Sequence, residues 1–263
     1  MTTKRTYWNA EVYDKIGTPM RGWAQAVIDD IGLKGDETVL DAGCGSGSVT
    51  LDLWERCKNG VIYALDSSPD MIAKLQATLA ERGITNIIPM QADLTDFTLP
   101  EQVDVVFSNA VFHWIQDDAG LFGSLARATK PGGRLRAQCG GGTNIKKLMT
   151  VTHEIEAREP YSQYLHNKPE PRKYRTEEQA VAALEANGWT NARARVFPSD
   201  VPFEDVDHAV LYLKTIILQQ QASALPEELS ERFLRDVIAE VIKRHGEPFV
   251  ADYVRLDLWA ERA

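Results

Sequence analysis

Residues 39–50 read Val-Leu-Asp-Ala-Gly-Cys-Gly-Ser-Gly-Ser-Val-Thr. A short apolar strand ends in an acid, Asp41, and runs into three glycines spaced two apart, Gly43, Gly45 and Gly47. That pattern predicts a strand-to-helix turn of an open α/β sheet. Such sheets bind ligands at the carboxyl ends of their strands, where a tight glycine turn lets backbone approach the ligand beside a helix N-terminus. A dinucleotide fingerprint fits poorly, because the third glycine position of G-x-G-x-x-G falls on Ser48. A phosphate loop is excluded, since no Gly-Lys-Ser or Gly-Lys-Thr follows. A glycine-rich turn without a ligand stays open on this stretch alone.

The next apolar runs repeat the arrangement. Val61–Leu65 reads as a buried parallel strand ending at Asp66, where an α/β nucleotide site wants an acid for two ribose hydroxyls. Pro69 then opens a helix, with Ser67 or Ser68 as its cap and Met71 in its first turn. A third run, Ile87–Gln91, leads into Ala92, Asp93 and Leu94, and a fourth, Val103–Phe107, into Ser108-Asn-Ala-Val-Phe-His-Trp114. Asp117 or Asp118 is a plausible cap for the helix that follows. Lys130-Pro-Gly-Gly133 reads as the turn that stops it, and a fifth strand runs from Arg134 to Gln138, into Cys139. Any one of these acids could be a helix cap or a solvated turn. Acids at three successive strand ends point to a site.

Asp41, Gly43, Gly45 and Gly47 resemble motif I of the class I S-adenosylmethionine-dependent methyltransferases, and the resemblance continues without a gap from residue 38 to 140. It implies an α/β fold, a seven-stranded Rossmann-like sheet with strand seven antiparallel, elaborated by helical cap insertions. It also implies S-adenosyl-L-methionine as cofactor and S-adenosyl-L-homocysteine as product. Asp41, Gly43, Cys44, Gly45 and Gly47 would form the cofactor turn, and Asp66 with Ser67 would hold the ribose. Met71 would pack on the adenine, Ala92, Asp93 and Leu94 would border its amine, and Asn109 and Ala110 would border the transferable methyl group. Tyr13, with Tyr7 and Trp8 in the aromatic N-terminal stretch, is expected over the cofactor or substrate. An apolar staple that anchors the following helix is the other reading of those rings.

The rest of the chain sets the substrate and is less legible. Residues 1–263 read as a single domain with a cofactor-binding core at 38–140, and 1–37, 143–175 and 204–246 as cap or substrate elements. Pro19 starts a helix with Trp23, Val27, Ile28 and Ile31 on one face. Thr176–Asn187 is a helix capped by Thr176, Asn191–Phe197 the sixth strand, and Phe249–Trp259 the seventh. Residues 204–246 read as two helices split at Pro226, the second carrying a stripe of Phe233, Leu234, Val237, Ile238, Val241 and Ile242.

Within the superfamily, the 108–114 stretch and Gln138-Cys-Gly-Gly141 look like the group that includes the trans-aconitate and malonyl-carrier-protein methyltransferases. This implies a small-molecule substrate and O-methylation of a carboxylate or hydroxyl. N- or C-methylation of a metabolite, or cofactor binding without turnover, are the alternatives. His113 is the candidate general base, its unperturbed pKa being about 6.5; a packing or hydrogen-bonding wall residue is the other reading. Trp8, Trp114, Arg172 and Arg175 are candidates for the substrate, the arginines as a carboxylate clamp with Lys173, or as solvated loop charges.

The net charge of −9 among 263 residues disfavours nucleic acid or an anionic membrane as partner. No apolar run approaches the roughly 18 residues of a membrane span, and Met1–Tyr7 lacks the apolar core of a signal peptide, so a cytoplasmic location is expected. Cys44, Cys57 and Cys139 form no C-x-x-C pair and no zinc spacing with the five histidines, so neither a disulfide nor a metal is expected.

Overall fold

The computed structural model describes residues 18–165 and 171–263. The expected roles of Trp8 and Tyr13 lie outside those residues. Two compact units are distinguished, one of Thr18–Gly142, Arg172–Phe197 and Arg255–Ala263 and the other, among the described residues, of 143–165, 171 and 198–254.

The first unit is built on a sheet. Its elements are α1 (Thr18–Ile31), β1 (Thr38–Ala42), α2 (Ser48–Arg56), β2 (Val61–Asp66), α3 (Pro69–Arg82), β3 (Ile87–Gln91), β4 (Val103–Asn109), α4 (Asp118–Ala128), β5 (Thr129–Gly140), α6 (Glu177–Glu185) and β6 (Trp189–Pro198), closed by β9 (Val254–Arg262) from residue 255 onward. The strand order is β3-β2-β1-β4-β5-β9-β6, with β9 antiparallel to β5. This is the expected seven-stranded methyltransferase sheet, β9 being its seventh strand.

The strands read as unbroken apolar runs because both faces of the sheet are covered. Val39, Ile62, Ala64, Val105 and Phe107 point to one face and pack with Ala24, Val27, Ile28, Leu53 and Leu75 from α1, α2 and α3. Their neighbours Leu40, Tyr63, Leu65 and Val106 point to the other, with Phe122, Leu125, Leu184 and Trp189. One residue of register would exchange the two sets, which fixes the pairing. Ser68 accepts a bond from the Met71 N–H to cap α3, Asp117 accepts from Gly120 to cap α4, and Thr176 with Gln179 makes a reciprocal capping box on α6.

The structure refines two strand assignments. β5 begins at Thr129 rather than Arg134: Thr129 pairs with Val103 and Arg134 with Val105, so Lys130–Gly133 bulges out of the ladder. The run expected as strand seven is divided, because Phe249–Ala251 forms a separate short strand. The break falls at Asp252, whose carboxylate accepts the Lys147 and Leu148 N–H groups at 2.8 and 3.1 Å.

The second unit contains α5 (Lys146–Glu156), β7 (Val201–Phe203), α7 (Val206–Tyr212), α8 (Gln219–Ala224), α9 (Glu227–His245) and β8 (Phe249–Ala251), with β7 antiparallel to β8. Pro226 does precede a long helix in which Phe233, Leu234, Val237, Ile238 and Val241 of the expected stripe are buried and Ile242 is half-buried. The first of the two expected helices is instead interrupted by a π-helical turn at Leu213–Ile217. Among the described residues no helix is long and apolar enough to cross a membrane.

Candidate functional site

Strand order reverses between β1 and β4, so the connections leaving these two strands diverge and open a crevice at their carboxyl ends. The glycine turn leaves β1 there. Its backbone is tied to β2, with the Gly43 and Cys44 N–H groups both donating to the Leu65 carbonyl at 2.8 and 2.9 Å. Gly43 and Gly47 are glycines for want of room: a Cβ would lie 2.3 Å from Val111 Cγ2 at the first and 2.3 Å from Leu75 Cδ1 at the second. Gly45 differs. Its φ is left-handed like theirs, at +54°, but a Cβ there would meet no atom of the described residues within 4 Å. The middle glycine thus turns a bare stretch of left-handed backbone toward open space, which suits close approach of a ligand.

Asp66, at the end of β2, is held from both sides. Its Oδ2 accepts the Gly45 N–H at 2.9 Å and its Oδ1 accepts the Ser68 N–H at 2.8 Å. Each carboxylate oxygen has a second acceptor site, so the group can still take ribose hydroxyls. The same carboxylate therefore shapes the turn and keeps acceptor capacity for a ligand. Ser67 is exposed beside it, and the Ala92 N–H donates to the Asp66 carbonyl at 3.1 Å. Met71 is buried at the start of α3. Asp93 is exposed after β3, and its Oδ1 accepts from the Thr95 N–H and hydroxyl, which hold its carboxyl below the usual range. Leu94 is turned into the core with Phe97 rather than left at the surface.

Asp41 plays a different part from the one expected. It is 2% exposed and accepts the Thr50 hydroxyl at 2.7 Å, bracing the turn from beneath. Burial pushes its carboxyl up to about 7, the Thr50 hydrogen bond opposes this, and the Asp66 charge adds to it. Cys44 donates weakly to the Gly45 carbonyl, and burial drives its thiol far up. Burial also pushes Cys139 up to about 11, so neither thiol is a nucleophile near neutral pH.

The segment leaving β4 forms the other wall. Ser108 donates to the Ala42 carbonyl at 2.7 Å, locking β4 to β1, and the Ala110 N–H donates to the Gln138 carbonyl at 2.7 Å. Ala110 has φ +60°, an uncommon conformation for a residue with a Cβ, found where surrounding structure overrides the local preference. Asn109, Ala110 and Val111 are half-buried beside the glycine turn.

His113 is buried between the rings of Trp114 and Tyr174, whose centroids lie 5.2 and 5.9 Å away. Its Nδ1 accepts the Gly140 N–H at 3.3 Å. The neutral ring therefore carries its proton on Nε2. Burial, aided by the charges of Arg255, Arg172 and Arg175, holds the imidazole well below its ordinary pKa. At neutral pH His113 is thus a hydrogen-bond donor at Nε2, and its basic nitrogen is occupied. That corrects its expected part as a base.

The expected clamp of Arg172 and Arg175 is not formed. Arg175 is 1% exposed, bonded through Nε to Asp118 Oδ1 and through its terminal nitrogens to the carbonyls of Phe112 and Ile115 and to Asp118 again. It pins the 112–115 turn to the start of α4 and offers a substrate little. Lys173 joins Asp118 at 2.8 Å. Arg172 lies over the rings of Trp114 and Tyr174 at 5.7 and 5.9 Å, a cation on an aromatic wall.

One cation went unassigned from sequence. Arg255, 2% exposed on β9, donates through Nε to Gln138 Oε1 at 3.2 Å and lies over the Trp23 ring at 4.1 Å. The signal was an arginine inside the alternation Val254-Arg-Leu-Asp-Leu258, a charge placed where a strand should be buried.

Residues 39–133 match the family model of a methyltransferase domain. The chain is similar to the trans-aconitate 2-methyltransferase of Mycobacterium tuberculosis, 32% identical over 162 residues, covering 62% of this chain and 59% of that protein. It is also similar to that of Azoarcus sp., 33% identical over 131 residues, 50% of each. The chain thus matches less than two thirds of the length of these curated relatives. The crystal structure of YcgJ protein from Bacillus subtilis superimposes with a TM-score of 0.63 at 15% identity, over 91% of this chain and 97% of that one, a likeness of fold.

Proposed function

We propose that the chain is a class I S-adenosylmethionine-dependent methyltransferase and that it methylates a carboxylate oxygen of a small molecule. The observation that carries this reading is the state of His113: its Nδ1 is bonded to the Gly140 N–H and its ring is held neutral among arginines. A site with its histidine so disposed suits a nucleophile that is already ionised, as a carboxylate is at neutral pH. The named activity of the trans-aconitate relatives supports the same substrate class.

The cofactor is S-adenosyl-L-methionine, and the residues present fit it. Gly45 leaves open space before its backbone, and Asp66 and Asp93 stand at the ends of β2 and β3. When bound, the cofactor supplies an electrophilic methyl on a positively charged sulfur. The chain's own contribution is alignment and exclusion of water. Asp66 holds the ribose while fixing the turn, and Asn109 and Ala110 border the methyl position. His113 offers its Nε2 proton to an acceptor oxygen. The arginines near His113 favour an anion in the site.

The test is to incubate the protein with methyl-labelled S-adenosylmethionine and trans-aconitate, then treat the product with mild alkali. Methylation of a carboxylate gives an ester that releases labelled methanol. Label retained through alkali would overturn the reading in favour of hydroxyl O-methylation or N- or C-methylation, and cofactor binding with no transfer to any acceptor would leave a binding protein.

A further inference from the structure

The cation on β9 sits at a defined point of the sheet. Asn109, the last residue of β4, pairs with Gln138 of β5, so Gly140 lies two residues beyond, at the carboxyl edge of the parallel strands. Arg255 is directly opposite Gly140. The same Gly140 donates its N–H to His113. One glycine therefore stands between the imidazole and the guanidinium, and it brings no side chain of its own to separate them.

The guanidinium is oriented as well as buried. Its Nε is directed at Gln138 Oε1, and the Gln138 amide is fixed in turn by donating to Asp257 Oδ1 at 2.8 Å. Asp257 is itself held by Arg136 and Arg195. Trp23 of α1 backs the guanidinium plane. A cation braced by a side-chain amide and a ring keeps its planar fork in one attitude, which is what bidentate recognition of a carboxylate requires. Its charge also acts on His113 more strongly than those of Arg172 and Arg175.

We propose that Arg255 is the substrate's anion anchor, holding a carboxylate of the acceptor beside His113 at the carboxyl edge of β5 and β9. This deepens the carboxyl-methylation reading and rests on it for the identity of the acceptor. A di- or tricarboxylate would place one carboxylate on Arg255 and present another for transfer. Arg255 is the specificity-determining group, and His113 donates to the same anion.

The experiment compares the wild-type protein with Arg255→Lys, Arg255→Gln and Arg255→Ala. Calorimetry with S-adenosylhomocysteine first establishes which variants retain the cofactor site. Trans-aconitate and its trimethyl ester are then titrated into each cofactor complex, following tryptophan fluorescence, and methyl transfer is assayed in parallel. Arg255→Gln is expected to bind S-adenosylhomocysteine normally, yet weaken trans-aconitate by about thirtyfold or more, with KM rising further than kcat falls. Arg255→Lys should retain part of the affinity, and millimolar guanidinium should partly restore Arg255→Ala. A merely structural arginine would give neither the charge-selective loss nor the rescue. Trans-aconitate binding that is equal in Arg255→Gln, or not saturable in the wild-type complex, overturns the anchor. Arg255-dependent binding without methyl transfer to the acid overturns carboxyl methylation and leaves the anchor standing.

Discussion

The Oδ2 atom of Asp66 accepts the Gly45 backbone N–H at 2.9 Å, so the acid at the end of β2 and the middle glycine after β1 form one unit. Replacing Asp66 by Asn removes the charge while keeping one acceptor oxygen. Affinity for S-adenosylmethionine should fall by about 1.5–3 kcal/mol, the range for hydrogen bonds to a charged group. Calorimetric titration checks this, and unchanged affinity would place the ribose elsewhere.

The three glycines of the turn should respond differently. Gly45→Ala should fold with a loss of about 1 kcal/mol, the left-handed strain alone, yet bind the cofactor weakly because its methyl enters the open space. Gly43→Ala must also displace Val111 and should cost roughly 2–5 kcal/mol in urea unfolding, combining that strain with overpacking. Equal stability of the two variants would contradict the crowding at Gly43.

Asp41 makes stability depend on pH with a definite sign. Its folded pKa, about 7, lies above its ordinary value of 3.8. Between those values the folded chain binds more protons than the unfolded one, so this group's contribution to stability falls as pH rises from about 4 to 7 and then levels. Asp41→Asn keeps an acceptor for Thr50 and cannot ionise. Its stability relative to wild type should therefore increase across that interval, by up to a few kcal/mol. A difference independent of pH would mean that Asp41 titrates normally.

Arg175 and Arg172 should separate stability from binding. Arg175→Ala leaves the Phe112 and Ile115 carbonyls and Asp118 without their donor and should destabilise by about 3–5 kcal/mol. Arg172→Ala removes a cation from the faces of two rings and should cost only about 0.5–1 kcal/mol. Denaturant titration of both variants measures the contrast, and similar losses would refute it.

The pH profile of kcat/KM on an acid substrate should be flat from about 6 to 9, because a carboxylate needs no base and His113 stays neutral there. A limb near pH 6–7 that vanishes in His113→Asn would restore His113 as a base.

The sheet of this molecule was legible in the sequence, because its determinants are local. Strand, acid, glycines and helix cap fall within a dozen residues from Val39 to Thr50, and the runs ending at Asp66, Asp93 and Asn109 repeat that unit with both faces of each strand apolar. Periodicity and turn chemistry act at this range, so the seven-stranded sheet and the turns at its strand ends could be read directly. What tertiary structure decided was the use of each polar group. Asp41 turned inward to Thr50, Arg175 became a pin on Asp118, His113 lost its basic nitrogen to Gly140, and Arg255 was set on Gln138 opposite Gly140. These assignments depend on partners 9 to 117 residues away. A local pattern records that a residue is charged or polar, but burial and the neighbour across the fold determine whether it braces the protein or faces a ligand.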